Sequence, residues 1–249
     1  MMTPAESGGR RTQKRYAGIA TGTESHAGHS DPVAHAKSFG YSEEELKSVP
    51  PDAAMSLGCG SPVALAGLRQ GETVLDLGCG GGLDAILAAR RVGPTGRVIG
   101  VDVTAEMVRR ARGNATKAGL ENIEFRHAPI ERLPLDDASV GVAISNCVMN
   151  HCSDKVCAFK EVYRVLKHRG RMCISDLVTA GEFSRDALKD RVWGEWLKGA
   201  LPRNDYLRAI TQAGFQDVTV TAEATFPMAE NDERLKGRIV SIHVTARKD

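Results

Sequence analysis

Val74-Leu-Asp-Leu-Gly-Cys-Gly-Gly-Gly82 is the stretch that decides the fold. Residues 73–77 read as a strand, and residues 83–91, with Ile86, Leu87 and then Val92, read as a helix. Between them the chain must turn sharply while its backbone comes close to a ligand. Glycine allows both, because it accepts φ > 0 and has no Cβ to stand in the way.

Working outward, the same alternation continues. Strands are expected at 97–101, 123–126, 139–145 and 171–175, with a helix at 105–118 ended by Gly119. Ser153 is the expected cap of a helix carrying Phe159, Val162 and Leu166 that stops near Gly170. A helix at 205–213, closed by Gly214, precedes strands near 218–222 and 239–246, close enough in sequence to pair antiparallel. Upstream, Ser42 with Glu45 three residues later has the form of a capping box, and Pro50-Pro51 ends that short helix. The prediction is an α/β fold: a Rossmann-like, seven-stranded, mostly parallel sheet with helices on both faces and the last strand antiparallel.

The composition bounds what such a domain can do. The chain has 249 residues, 42% hydrophobic and 26% charged, enough for one core without disulfide or metal staples. The net charge is +2, and the excess lies in residues 1–40, where five basic groups face three acids. A neutral domain argues against nucleic-acid and membrane surfaces. No apolar run is long enough to cross a bilayer, and no apolar core of a signal peptide follows the start, so a cytoplasmic protein is expected. Residues 1–40, rich in Gly, Ser, Thr and His, are expected to be a flexible tail or lid on a domain spanning 41–249. His26, His29 and His35 in that segment are read as solvated polar groups rather than a metal cluster.

A glycine loop alone does not name its ligand, since Gly80 to Ala85 also fits the G-x-G-x-x-G/A form of dinucleotide folds. Here, however, Asp76 stands inside the strand, two positions before Gly78, giving Asp-x-Gly-x-Gly-x-Gly. That pattern resembles motif I of class I S-adenosylmethionine-dependent methyltransferases, in which the loop faces the methionine end of the cofactor. Asp102 ends the second strand, where a carboxylate can accept both ribose hydroxyls. The resemblance extends the cofactor site to Gly78, Cys79, Gly80, Val103, to Ile130 and Glu131 beside the adenine, and to Asn146 and Val148 after the fourth strand.

Across residues 41–201 the likeness narrows. Gly40-Tyr-Ser-Glu-Glu-Glu-Leu46, Leu57-Gly-Cys-Gly-Ser-Pro62, Glu131-Arg-Leu-Pro134, Ser145-Asn-Cys-Val148 and Trp193-Gly-Glu-Trp-Leu-Lys-Gly-Ala200 together resemble the arsenite methyltransferase family. Trivalent arsenic is soft, and thiolates suit it as they suit soft metals. The resemblance implies Cys59 and Cys147 as arsenic ligands, with Glu195 and residue 196 lining the substrate pocket. The family's third thiol falls at 196, where this chain has Trp196; Cys152 is a candidate substitute. Trp196 is either core filling or a stacking wall for an organic substrate. All six cysteines are expected as free thiols, with Cys79, Cys157 and Cys173 as packing residues. The implied reaction is methyl transfer to thiolate-bound arsenic, with glutathione or another small thiol as an additional partner. The alternatives left open are a small thiol, selenium compound or other small metabolite as acceptor, and a catalytically silent metalloid- or cofactor-binding protein.

Overall fold

A computed structural model describes residues 4–24, 32–55, 58–181, 185–189, 193, 197 and 199–249. Seven strands form one sheet: β1 (Thr73–Leu77), β2 (Arg97–Asp102), β3 (Ile123–His127), β4 (Val140–Asn146), β5 (Leu166–Thr179), β6 (Gln216–Thr225) and β7 (Ile239–Arg247). Their order is β3-β2-β1-β4-β5-β7-β6. The strands β1 to β5 pair in parallel, and β7 runs antiparallel to both β5 and β6.

Eight helices are placed among the described residues: α1 (Pro4–Thr21), α2 (Pro32–Ser38), α3 (Glu43–Lys47), α4 (Pro62–Leu65), α5 (Leu83–Val92), α6 (Ala105–Lys117), α7 (Lys155–Val165) and α8 (Arg203–Gln212). Alternation along β1 explains how the sheet is covered. Leu75 and Leu77 point into a core shared with α7 and α8, while Val74 points into a second core with Ile86 and Val108. Burying such branched and aliphatic side chains on both faces is what gives the central strands their near-continuous apolar runs.

Several local expectations hold. The Ser42 hydroxyl accepts from the Glu45 amide and the Glu45 carboxylate accepts from the Ser42 amide, so the capping box is complete. Others need correction. The cap of α7 is Asp154, whose carboxylate accepts the Cys157 amide at 2.9 Å, in place of Ser153. That helix ends at Val165, and β5 starts at Leu166 and runs through Gly170. Cys157, read as a packing residue, is exposed in the first turn of α7, whereas Cys79 and Cys173 are buried.

The sequence of connections puts a crevice at one place. From β1 the chain winds outward to β2 and β3, then returns to place β4 on the other side of β1. Crossovers therefore leave the sheet in opposite directions at the carboxyl ends of β1 and β4, and such a switch point is where open α/β sheets bind ligands.

Candidate functional site

The β1 end of the crevice is built from glycines and acids. Gly78 has φ 67°, and a Cβ there would run into the Val148 side chain. Gly80 has φ 50° and faces open space, so the loop presents bare backbone to the cleft. Its amide donates to Asp102 Oδ2 at 3.0 Å, which ties the glycine loop to the end of β2. The cleft is lined by Asp76, Gly78, Cys79, Gly80, Asp84 and Asn146, with Tyr41, Met55, Phe39 and His35 closing it.

Three carboxylates converge here. Asp76 is 2% exposed, and its Oδ2 has no hydrogen-bond partner. Burial pushes its carboxyl well above the ordinary range, and the neighbouring charges of Asp84 and Asp102 push it further. Asp84, in the first turn of α5, is raised by burial to about 6, opposed by hydrogen bonds from Tyr41 and Asn146. Asp102 is raised by burial, opposed by the Thr104 and Gly80 amides. Like charges gathered out of water are costly unless a cation joins them. An orphaned carboxylate oxygen, a loop without side chains and a surplus of negative charge thus fit a ligand with an ammonium or sulfonium at one end and hydroxyls at the other.

Sequence reasoning missed Tyr41 and Asp84. The Tyr41 hydroxyl donates to Asp84 Oδ1 at 2.7 Å, and Asn146 Nδ2 lies 3.0 Å from that hydroxyl and 3.2 Å from Asp84 Oδ2. The only signals were the tyrosine inside a quoted motif and an acid in a helix first turn, which the helix dipole alone would explain.

Asn146 also reaches the second half of the site. Its Oδ1 accepts the Cys59 amide at 2.9 Å and its Nδ2 donates to the Gly60 carbonyl at 2.6 Å. Ser241 Oγ donates to the Cys59 carbonyl at 2.6 Å, so the Cys59 loop is pinned from β4 and from β7. Glycines must flank this cysteine. A Cβ at residue 58 would strike the Asn146 side chain, and one at residue 60 would strike His243 and Ser175.

Cys147 follows Asn146 with φ 56°, a left-handed conformation that costs a non-glycine residue about 1–2 kcal/mol. Its amide donates to the Ser175 carbonyl at 2.8 Å. Cys59 and Cys147 are joined by a disulfide with Cα atoms 5.9 Å apart, which corrects the expectation that all six cysteines are free. Nothing local announces the pair, because the two are 88 residues apart and no signature marks them. The Cys59 and Cys147 sulfurs and an oxygen of Asp176 lie within 4.8 Å of one another.

The remaining expected residues divide. Cys152 is buried in the core with Phe159 and Tyr206, outside that sulfur group, and burial pushes its thiol up. Val148 wedges against Gly78, Ile130 is buried, and Glu131 lies beside Cys152. Val103 is exposed after β2, its carbonyl bound by His127 and Gln13. Glu195 and Trp196, and with them His26 and His29, lie outside the described residues. Trp193 and Leu197 of the same motif are buried in one apolar cluster with Cys59, and Cys147 packs against it. From α1, Gln13 reaches Val103, and the hydroxyl of the half-buried Tyr16 lies 3.2 Å from His151 Nε2, near the Asp102 charge.

Comparison with known proteins adds three findings. Residues 68–214 match the methyltransferase domain family. The chain is 40% identical over 95% of its length to an arsenite methyltransferase of Halobacterium salinarum and 36% identical over 78% to one of Aquipseudomonas alcaligenes, spanning 65% and 58% of those proteins, under two-thirds of their length. In structure it resembles an arsenic(III) S-adenosylmethionine methyltransferase from Chlamydomonas reinhardtii, with TM-score 0.67, 33% identity, and coverage of 88% of this chain and 74% of that one.

Proposed function

The chain belongs to the arsenite methyltransferase family of methyltransferase domains, and on that premise we propose that it transfers a methyl group from S-adenosylmethionine to trivalent arsenic held by Cys59 and Cys147. The observation that carries the reading is the paired sulfurs at the end of β4, joined through Asn146 to the carboxylate cleft at the end of β1.

S-Adenosylmethionine, when bound, supplies an electrophilic methyl group on a sulfonium. The chain's own residues bind and orient. Asp76 offers its unpartnered oxygen to the ammonium, the backbone at Gly78 and Gly80 lets the ligand approach, and Asp102 offers its carboxylate to ribose hydroxyls. Ile130 and Glu131 stand for the adenine side. Tyr41, Phe39 and Asp84 close the cleft against water, so that its charges act at low dielectric.

At the sulfur end, the disulfide must first be reduced by glutathione or another small thiol. Disulfides in reducing compartments are transient, serving catalysis or sensing, and a pair set beside the cofactor cleft fits that use. Arsenous acid then gains two As–S bonds, and each thiol proton leaves with a hydroxide as water, so no separate general base is needed. The third position on arsenic is taken by hydroxide, methyl or a small thiol. Two fixed sulfurs hold the arsenic in place for transfer, which supplies proximity and orientation.

Incubating the reduced protein with arsenite and S-adenosylmethionine should yield methylated arsenic by mass spectrometry. Absence of that product, with the cofactor bound normally, would sink the reading. The tryptophan at 196 supports a second one, in which the acceptor is another small metabolite. Appearance of arsenic methylation only in Trp196→Cys would favour it.

A further inference from the structure

Asp176 lies on β5, 1% exposed, next to the sulfur pair yet unused in the reaction as described above. Its Oδ1 accepts from Asn150 Nδ2 at 2.9 Å and from the Leu177 amide at 2.8 Å, and its Oδ2 accepts from the Tyr206 hydroxyl at 3.0 Å. A carboxylate has about four acceptor sites. Three donors therefore lock this one in orientation and leave one site of Oδ2 open. The Cys59 sulfur, the Cys147 sulfur and a carboxylate oxygen then make a group in which every pair of atoms is within 4.8 Å.

Trivalent arsenic is three-coordinate and pyramidal, and the two sulfurs fill two positions. Residue 196 cannot supply a thiolate, and Cys152 stands outside the group. We propose that Asp176 is the third ligand: with the disulfide reduced, Cys59, Cys147 and Asp176 form a two-sulfur, one-oxygen triad for inorganic arsenite. The proposal rests on the arsenic-binding reading and goes beyond it by assigning a residue and a preference among arsenic species.

A small dithiol closes its own disulfide and delivers two electrons and two protons to Cys59 and Cys147. Arsenous acid then loses three hydroxides. Two leave as water with the thiol protons as the As–S bonds form, and the third leaves with a proton from solvent as the Asp176 oxygen bonds to arsenic. Arsenic stays trivalent throughout. A monomethylated trivalent species has only two exchangeable positions, so it would use the sulfurs and leave Asp176 aside. The triad therefore favours inorganic arsenite over its first methylated product.

The test titrates the reduced full chain, free of oxygen, with sodium arsenite and with methylarsenite, counting bound arsenic after equilibrium dialysis. Asp176→Asn keeps the shape and the bonds its oxygen accepts from Asn150 and Leu177, with its amide donating to the Tyr206 oxygen in place of accepting, and it should weaken arsenite binding at least tenfold while leaving methylarsenite within about twofold. Equal weakening of both, or of neither, overturns the proposal. If Cys147→Ser changes binding of neither species, the cysteine site itself is wrong and Asp176 falls with it. Native mass spectrometry of the unaltered protein gives an answer that needs no variant. The arsenite adduct should have lost three waters, and an adduct that has lost only two would overturn the assignment.

Discussion

Replacing Asn146 by alanine should uncouple the two halves of the site. The side chain receives the Cys59 amide at 2.9 Å and donates to the Gly60 carbonyl at 2.6 Å, with the Tyr41 hydroxyl and Asp84 within reach of its second hydrogen. Two amide hydrogens and one carbonyl make about three good bonds, each worth roughly 1 kcal/mol net. Two of these hold the Cys59 loop and alanine makes neither, so the docked loop loses about 2 kcal/mol against the undocked one. At 1.4 kcal/mol per factor of ten that is about 30-fold. The readout is the equilibrium between the Cys59–Cys147 disulfide and its dithiol in glutathione buffers, since pairing is favoured by how often the sulfurs meet. Asn146→Ala should lower the pairing constant by up to about 30-fold, with cofactor binding weakened as Asp84 loses a donor. A pairing constant within threefold of the unaltered protein, in a variant that still melts cooperatively, would refute the reasoning.

Four further outcomes follow from the same geometry. Because the Asp84 carboxyl is raised to about 6, its contribution to the stability of the ligand-free fold is fully present below about pH 4 and is lost as pH rises through about 6; a cationic cofactor should restore it. Thermal shift on adding S-adenosylmethionine should accordingly be larger at pH 8 than at pH 5, and a larger shift at pH 5 would contradict the cation site. Gly60→Ala puts a methyl group against His243 and Ser175, where overpacking costs about 1–3 kcal/mol, measurable as a lower midpoint in urea. Gly78→Ala, strained at φ 67° and pressed on Val148, should impair cofactor binding by calorimetry, and normal affinity would count against the loop assignment. Cys152→Ala removes a core thiol, so it should cost about 1 kcal/mol of stability yet leave arsenite affinity untouched; loss of affinity would make it a ligand after all.

The sheet was legible because each strand and helix between 73 and 179 carries its own period and its own punctuation, so the topology followed from connection rules. Asp76 and Asp102 were legible because they sit at fixed offsets from the glycines. Asp84 was not, since an acid in the first turn of a helix is ordinary and its importance comes from Tyr41, 43 residues earlier. Asp176 was hidden for a similar reason: it follows a run of strand residues, and its partners Asn150 and Tyr206 lie on elements that only the fold brings together. The choice of Ser153 over Asp154 as cap was a contest between adjacent residues with the same chemistry, which local sequence does not separate. The helix α1 was not foreseen, because its stretch contains Gly8 and Gly9 and because it meets partners distant in sequence, Val103, Arg110 and His151 among them.

The bond from Ser241 to the Cys59 carbonyl joins residues 182 positions apart. Ribosomes release chains from the amino end, and domains gather their structure in that order. The segment bearing Cys59 therefore leaves the ribosome long before the strand that pins it. Until then the Cys59 loop has the Asn146 bonds from β4 and lacks the one from β7. Soft-ion chemistry thus leans on a bond that forms after both cysteines have been made, so that a chain cut before β7 carries the cysteines without the full set of bonds that places them.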